Sequence, residues 1–224
     1  MGIPEHFSHD IAQRCRFLIQ ELQPRIDELK ADKFGGPLRT TFLLAMATPM
    51  IVLPVDRIFQ PGQGRIRVAD DTFLSPDLAQ QVKSVLGDGQ AFATAPFFEA
   101  GCWRYVADHP PFNVAKGLPH ELQEHLSTEK AIQSAREAST KRIIVDLRNA
   151  LAHGGVAYLD RYGRTAEREA LMFAFVAKKS LASENLNVLR IYEDAFRKFL
   201  MAWADWLCDG IGLERKYAER AACG

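Results

Sequence analysis

Three observations predict a mainly all-α fold, a helical bundle with a small β-hairpin behind one of its helices. Apolar residues recur at steps of three and four along three long segments. Two short runs of β-branched and aromatic residues flank a turn-rich stretch. The chain has 224 residues, 47% hydrophobic and 25% charged, a composition suited to one soluble core, so a single domain over 1–224 is expected.

The first helix is expected over Asp10–Ala31, where Ile11, Cys15, Leu18, Leu22, Ile26 and Leu29 form a stripe, with a kink at Pro24. Lys33–Pro37 reads as a turn, and Pro37 suits the first position of a second helix. That helix carries the apolar run Phe42–Val55, which Pro49 and Pro54 make too short and too broken for a bilayer, so a buried core helix is expected. Residues from about 59 to 126 read as a loop-rich insertion, with turns at Gln60–Gly64 and Gly87–Gly89. Ser75-Pro76-Asp77 starts one helix within it, with Leu78, Val82, Val85 and Leu86 on its apolar side. The aromatics Phe92, Phe97, Phe98, Trp103, Tyr105 and Phe112 suit core packing, with base stacking as the alternative.

A long helix is expected from Ser127 as N-cap, with Glu129 in its first turn, to His153, where Gly154 suits a left-handed C-terminal residue. Val156–Leu159 and Leu171–Val176 then read as the hairpin. A closing helix is expected over Leu186–Cys208, its two tryptophans Trp203 and Trp206 belonging to the core or a dimer interface.

Formal net charge is zero, which excludes a bulk electrostatic argument for a nucleic-acid clamp. The Lys141–Lys179 stretch is nonetheless locally basic, with Arg142, Arg148, Lys178 and Lys179 among eight cations against four carboxylates. Cys15, Cys102, Cys208 and Cys223 lack the spacing of a zinc knuckle or redox pair and read as reduced thiols. The groups His6/His9 and His120/Glu121/Glu124/His125 lack a third suitably spaced ligand and read as solvated side chains, so no metal is expected. Phosphate loop, dinucleotide fingerprint and serine-hydrolase elbow are absent, so no cofactor is expected. With no apolar leader, the expectation is a cytoplasmic chain with no membrane partner.

The candidate site is Arg148, Asn149 and His153. Asn149 and His153 are four apart and share a helix face, and Arg148 is long enough to reach the same anion. The negative end of the helix favours imidazolium, whereas burial opposes it. A purely structural alternative has His153 capping its own helix and Arg148 paired with Asp146 or another nearby carboxylate.

Arg148-Asn149, three residues and His153, followed by Gly154 at the end of an amphipathic helix, resembles the Arg-Asn-x-x-x-His motif of the HEPN superfamily. The resemblance is to its Apea-like and plasmid-borne members, whose closing helix and hairpin after the motif the C-terminal third also resembles. It implies a metal-independent endoribonuclease acting as a homodimer, with a site shared across the two-fold axis, RNA as substrate and a 2′,3′-cyclic phosphate product. His153 is then general acid or base, Arg148 binds the scissile phosphate and Asn149 orients it. The resemblance also implies a toxin or abortive-infection effector with a nucleotidyltransferase-type or other antitoxin. The alternative function is a catalytically silent HEPN module that binds RNA, a nucleotide or a protein partner.

Overall fold

The computed structural model describes residues 7–29, 32–34, 38–59, 69–72, 76–166, 169–180 and 182–209. Pro37, Gln60–Gly64, the Ser75 cap, His6, Glu167, Arg168 and Cys223 lie outside them. The described fold is mixed α/β, with seven α-helices and a four-stranded antiparallel sheet, which corrects the all-α class the sequence predicts.

Helix α1 spans Phe7–Asp27, with Ala12, Cys15 and Ile19 buried. Pro24 lies in its last turn, and the helix stops at Asp27, short of the expected Ala31. Helix α2 spans Arg39–Pro54 and continues as a π-helical turn over Val55–Phe59. The two prolines do not break it, contrary to expectation; the 21 residues Arg39–Phe59 are apolar and long enough to cross a membrane. In this fold Leu43, Ala47, Met50 and Ile51 on that helix are fully buried in the core. Pro54 leaves the carbonyl of Met50 without its helical donor, and the indole Nε1–H of Trp203 donates to that oxygen at 2.9 Å.

Helix α3, Pro76–Leu86, buries Leu78, Val82 and Leu86, following the predicted stripe. The remaining elements are β1 (Arg104–His109), α4 (His120–Leu126), α5 (Glu129–Glu137), α6 (Thr140–His153), β2 (Val156–Leu159), β3 (Met172–Ser180), β4 (Ser183–Tyr192) and α7 (Glu193–Asp209). The expected hairpin forms, with Val156 opposite Phe175 and Leu159 opposite Met172, but it is one edge of a sheet ordered β1-β4-β3-β2.

Strands β1 and β4, which the sequence does not predict, account for the change of class. Residues 186–192, expected to open the last helix, form β4, and the helix begins only at Glu193. Val188, Ile191, Ala195 and Phe199 follow helical steps by coincidence, because Leu186–Ile191 is buried on both faces of the sheet and carries no strand alternation to signal its period. The single long motif helix expected from Ser127 to His153 is in fact two helices, α5 and α6. Ser127 closes α4, Thr128 caps α5 through the Ala131 N–H, and Ser139 caps α6 through the Arg142 N–H. The break at Ala138 is stabilised from outside, since the Ala138 carbonyl accepts from the Phe92 N–H and the Thr140 N–H donates to the Gln90 carbonyl.

The sheet separates two apolar layers. Phe173 and Phe175 of β3 and Leu189 and Ile191 of β4 face the helical core, whereas Met172, Ala174, Val176, Leu186 and Val188 face Leu118, Leu122 and Leu126 around α4. Phe92, Phe97, Trp103, Phe199, Trp203 and Trp206 pack edge to face in the main core. The final-helix tryptophans are therefore internal, not a free dimer face.

Helix α6 ends by running directly into the sheet. Gly154 adopts a left-handed conformation (φ 71°), the Gly155 N–H donates to the Ala150 carbonyl, and the Gly155 carbonyl accepts from the Val176 N–H at 2.7 Å. A Cβ on Gly155 would lie 2.1 Å from the Val176 carbonyl oxygen, whereas one on Gly154 meets open space. Gly155→Ala must push backbone against backbone and is expected to destabilise by about 2–3 kcal/mol. Gly154→Ala carries only the left-handed penalty of about 1–2 kcal/mol. Chemical denaturation of both variants checks the order, and a Gly155→Ala midpoint equal to the parent's contradicts the close approach.

Candidate functional site

The capping of α6 sets its phase. With Ile143, Ile144, Leu147 and Ala150 turned into the core, the sequence spacing places Arg142, Asn149 and His153 on the opposite side. Arg148, Asn149 and His153 all line one cleft of about 1140 Å³, so the fold brings the three predicted residues together. Its other walls are the Pro111–Val114 loop and parts of β3 and β4. Among the described residues its lining holds four cations, Arg142, Arg148, Lys178 and Lys179, and no carboxylate.

Arg148 is engaged from the side. Its Nε and Nη2 donate to Asp56 Oδ1 and Oδ2, each at 2.7 Å, and its Nη1 donates to the amide oxygen of Asn149 at 2.9 Å. The structural alternative raised from sequence is therefore realised for Arg148, with Asp56 as the carboxylate and not Asp146. A guanidinium carries five N–H groups, so two remain beyond these three bonds among the described residues. Asn149, held through its oxygen, keeps its NH₂ donors. His153 is exposed at the mouth, and the helix end is closed by glycine backbone.

Asp146 does different work. It is buried beneath the cleft, where one oxygen accepts from Tyr105 Oη at 3.0 Å and from Asn187 Nδ2 at 2.9 Å. The other, Oδ1, has no hydrogen-bond donor among the described residues and lies 3.8 Å from Arg142 Nη1. Burial outweighs these partners and raises the Asp146 carboxyl to about 6. Burial, together with the neighbouring Asp146 charge, also pushes the Tyr105 phenol up.

The rim is tied to β1, the strand that leads into the Pro111–Val114 loop. Asp108 has a left-handed backbone (φ 61°) at a register break in β1. Lys179, at 2.9 Å, and Asn185, at 2.8 Å, hold its carboxyl below the usual range. Lys178 lies 3.4 Å from Glu184.

Sequence reasoning missed Asp56. The signal it offers is that the Asp56-Arg57 pair ends an otherwise uncharged run from Thr40 to Val55. Its π-turn setting, which decides where it points, has no such signal. Among the described residues, no three His, Cys, Asp or Glu side chains converge on a metal position, and His120 meets Glu124 at 3.7 Å on the surface. Among the described residues, no disulfide joins Cys15, Cys102 or Cys208. Comparison with protein-family models, with curated proteins and with solved structures finds no match.

The Asp146 carboxyl has a testable pH signature. Folded, it takes a proton near pH 6; unfolded, it does so near about 3.9. The folded state binds the extra proton between these values, so this group's contribution to stability falls as pH rises from about 4 through 6. Asp146→Asn keeps the acceptor for Tyr105 and Asn187 and removes the titration. Relative to the variant, the parent is expected to lose on the order of 3 kcal/mol between pH 4 and 7. Urea midpoints at the two pH values measure it, and a pH-independent difference contradicts a buried, titrating Asp146.

Proposed function

We propose that the protein is a HEPN-type endoribonuclease that cleaves RNA without a metal cofactor and works as a homodimer. The observation that carries this reading is the convergence of Arg148, Asn149 and His153 on one cleft whose described lining has four cations and no carboxylate. Cleavage of this type removes the proton of a ribose 2′-hydroxyl, whose oxygen attacks the adjacent phosphorus. The 5′ oxygen leaves with a proton, giving a 2′,3′-cyclic phosphate and a 5′-hydroxyl end. Histidine suits the proton transfers because imidazole exchanges protons near neutral pH. Arginine suits the phosphorane-like transition state because its charge is permanent and its donors are forked.

Each chain contributes one His153 to the cleft. A second copy across a two-fold axis supplies the other acid or base, which is the reason for proposing a homodimer. The exposure of His153 at the end of its helix leaves it accessible to such a partner.

A second reading is favoured by one contact. Because Asp56 already takes two donors of Arg148, the cleft also fits a binding site without cleavage, the silent-module alternative. Incubation with single-stranded RNA in excess chelator separates the two. Cleavage is expected to persist, to leave cyclic phosphate ends, and to fall about a hundred- to ten-thousand-fold in His153→Ala. Arg148→Lys is expected to lose most activity as well, since an ammonium cannot hold both Asp56 oxygens and a phosphate. Equal cutting by parent and His153→Ala sinks the ribonuclease reading. Unaltered RNA that stays bound to the parent selects the binding module.

A further inference from the structure

We propose that the apolar surface of the cleft is a base-binding subsite, which takes one nucleobase of a single-stranded ribonucleotide while its phosphate lies toward Arg142, Arg148, Lys178 and Lys179. The location of the phosphate rests on the reading of Arg148, Asn149 and His153 given above; the base subsite stands on its own lining.

The first ground is size. A volume of about 1140 Å³ exceeds what an anion needs, and lies above the roughly 300–1,000 Å³ of pockets that enclose whole small molecules. The second ground is the mixed lining. Phe112, Val114, Val145, Val176 and Leu186 supply apolar surface, and Arg142, Arg148, Lys178 and Lys179 supply cations from α6 and β3. An aromatic face beside a row of cations is the arrangement that holds unpaired bases, because stacking accepts any base and the cations follow the backbone. The described lining holds four cations and no carboxylate; Arg148, Lys178 and Lys179 are paired from outside it with Asp56, Glu184 and Asp108, so an anionic occupant competes with those carboxylates for the same donors.

The third ground is that Phe112 is held in place at the cleft: it packs against the apolar layer around α4, whereas the other aromatics of its segment pack in or against the main core. Phe92, Phe97 and Trp103 are at most 1% exposed, whereas Phe112 is only partly buried and lines the cleft. Its ring meets the His109 ring edge to face at 5.5 Å. The loop on either side is fixed: His109 Nδ1 lies 2.7 Å from the Pro110 carbonyl, and Asn113 caps the following turn by accepting from the Ala115 N–H at 3.0 Å. A pre-positioned ring loses little freedom when a base stacks on it. A base in a duplex is already stacked and paired, so the subsite selects single strands.

Calorimetric titration of full-length His153→Ala, which prevents turnover, tests the proposal with AMP, ribose 5-phosphate and inorganic phosphate. AMP is expected to bind roughly ten-fold or more tightly than ribose 5-phosphate. Adding Phe112→Leu, which keeps apolar bulk without the aromatic face, should remove most of that difference and leave ribose 5-phosphate unchanged. Phe112→Trp should retain it, and Lys179→Ala should weaken both ligands equally. A single-stranded octamer should displace AMP where its duplex does not. Equal affinity for AMP and ribose 5-phosphate, an unaltered preference in Phe112→Leu, or equal competition by duplex overturns the proposal. AMP binding that depends on Phe112, in a parent protein that cuts no RNA, retains the subsite and rejects the ribonuclease. Cleavage without any preference for AMP does the reverse.

Discussion

The bidentate pair between Asp56 and Arg148 determines what the cleft can present, and much of the helical layer serves to place it. Asp56 lies just after two prolines, where α2 gives way to a wider π-helical turn. Pro54 removes a donor from the Met50 carbonyl, and Trp203 from α7 restores one. The end of α2 is thereby fastened to the last helix before the chain turns, so Asp56 reaches Arg148 from a braced position. The salt bridge is only partly buried, with side chains 22% and 34% exposed for Arg148 and Asp56. Its net contribution to stability is modest. Its consequence is orientation: the guanidinium plane is fixed, and through Nη1 it also fixes the Asn149 amide.

The sheet sets the other half of the site. Because β3 and β4 are buried on both faces, they cannot shift without exposing one apolar layer or the other. The end of α6 is pressed onto β3 at Gly155, and the far end of the same strand carries Lys178 and Lys179 into the cleft. Position along one rigid strand therefore relates the helix end to the cationic rim. Asp146 adds a polar tie between α6, β1 and β4 through Tyr105 and Asn187. A buried carboxylate costs desolvation, which its two hydrogen bonds offset only in part. That cost is what moves its titration upward.

What was legible in the sequence depended on whether burial was one-sided. Helix α3 exposes one side and buries the other, and its stripe identified it, as did the hairpin pairing of Val156–Leu159 with Met172–Phe175. Strand β4 was hidden because two-sided burial erases the alternation of period two, and its apolar positions ran on into those of α7. Strand β1 was hidden by its composition. Of its six residues only Tyr105 and Val106 favour a strand, while Arg104, Ala107, Asp108 and His109 give no such signal. The break between α5 and α6 has one local mark, the Ser139 cap, and depends otherwise on Gln90 and Phe92, about fifty residues distant. Arg148, Asn149 and His153 were legible because a helix fixes their spacing. Asp56 was not, because its pairing is a long-range event.

The same pairing constrains how an anion is attracted. A phosphate approaching Arg148 meets a guanidinium whose charge is already balanced by Asp56, so the long-range attraction of that residue is small. Attraction must come from Arg142, Lys178 and Lys179, of which Lys178 and Lys179 have their own exposed acidic neighbours, Glu184 and Asp108. Those rim pairs are solvated and exchange readily for a polyanion. The Asp56 pair is geometrically stronger, since two parallel bonds hold it. On the proposed reading, the cations of the rim supply the field that draws an anionic strand in. Arg148 supplies direction at close range through its two remaining N–H groups. On the proposed reading, steering and transition-state contact are assigned to different residues, which is how a chain of zero net charge maintains a site for a polyanion.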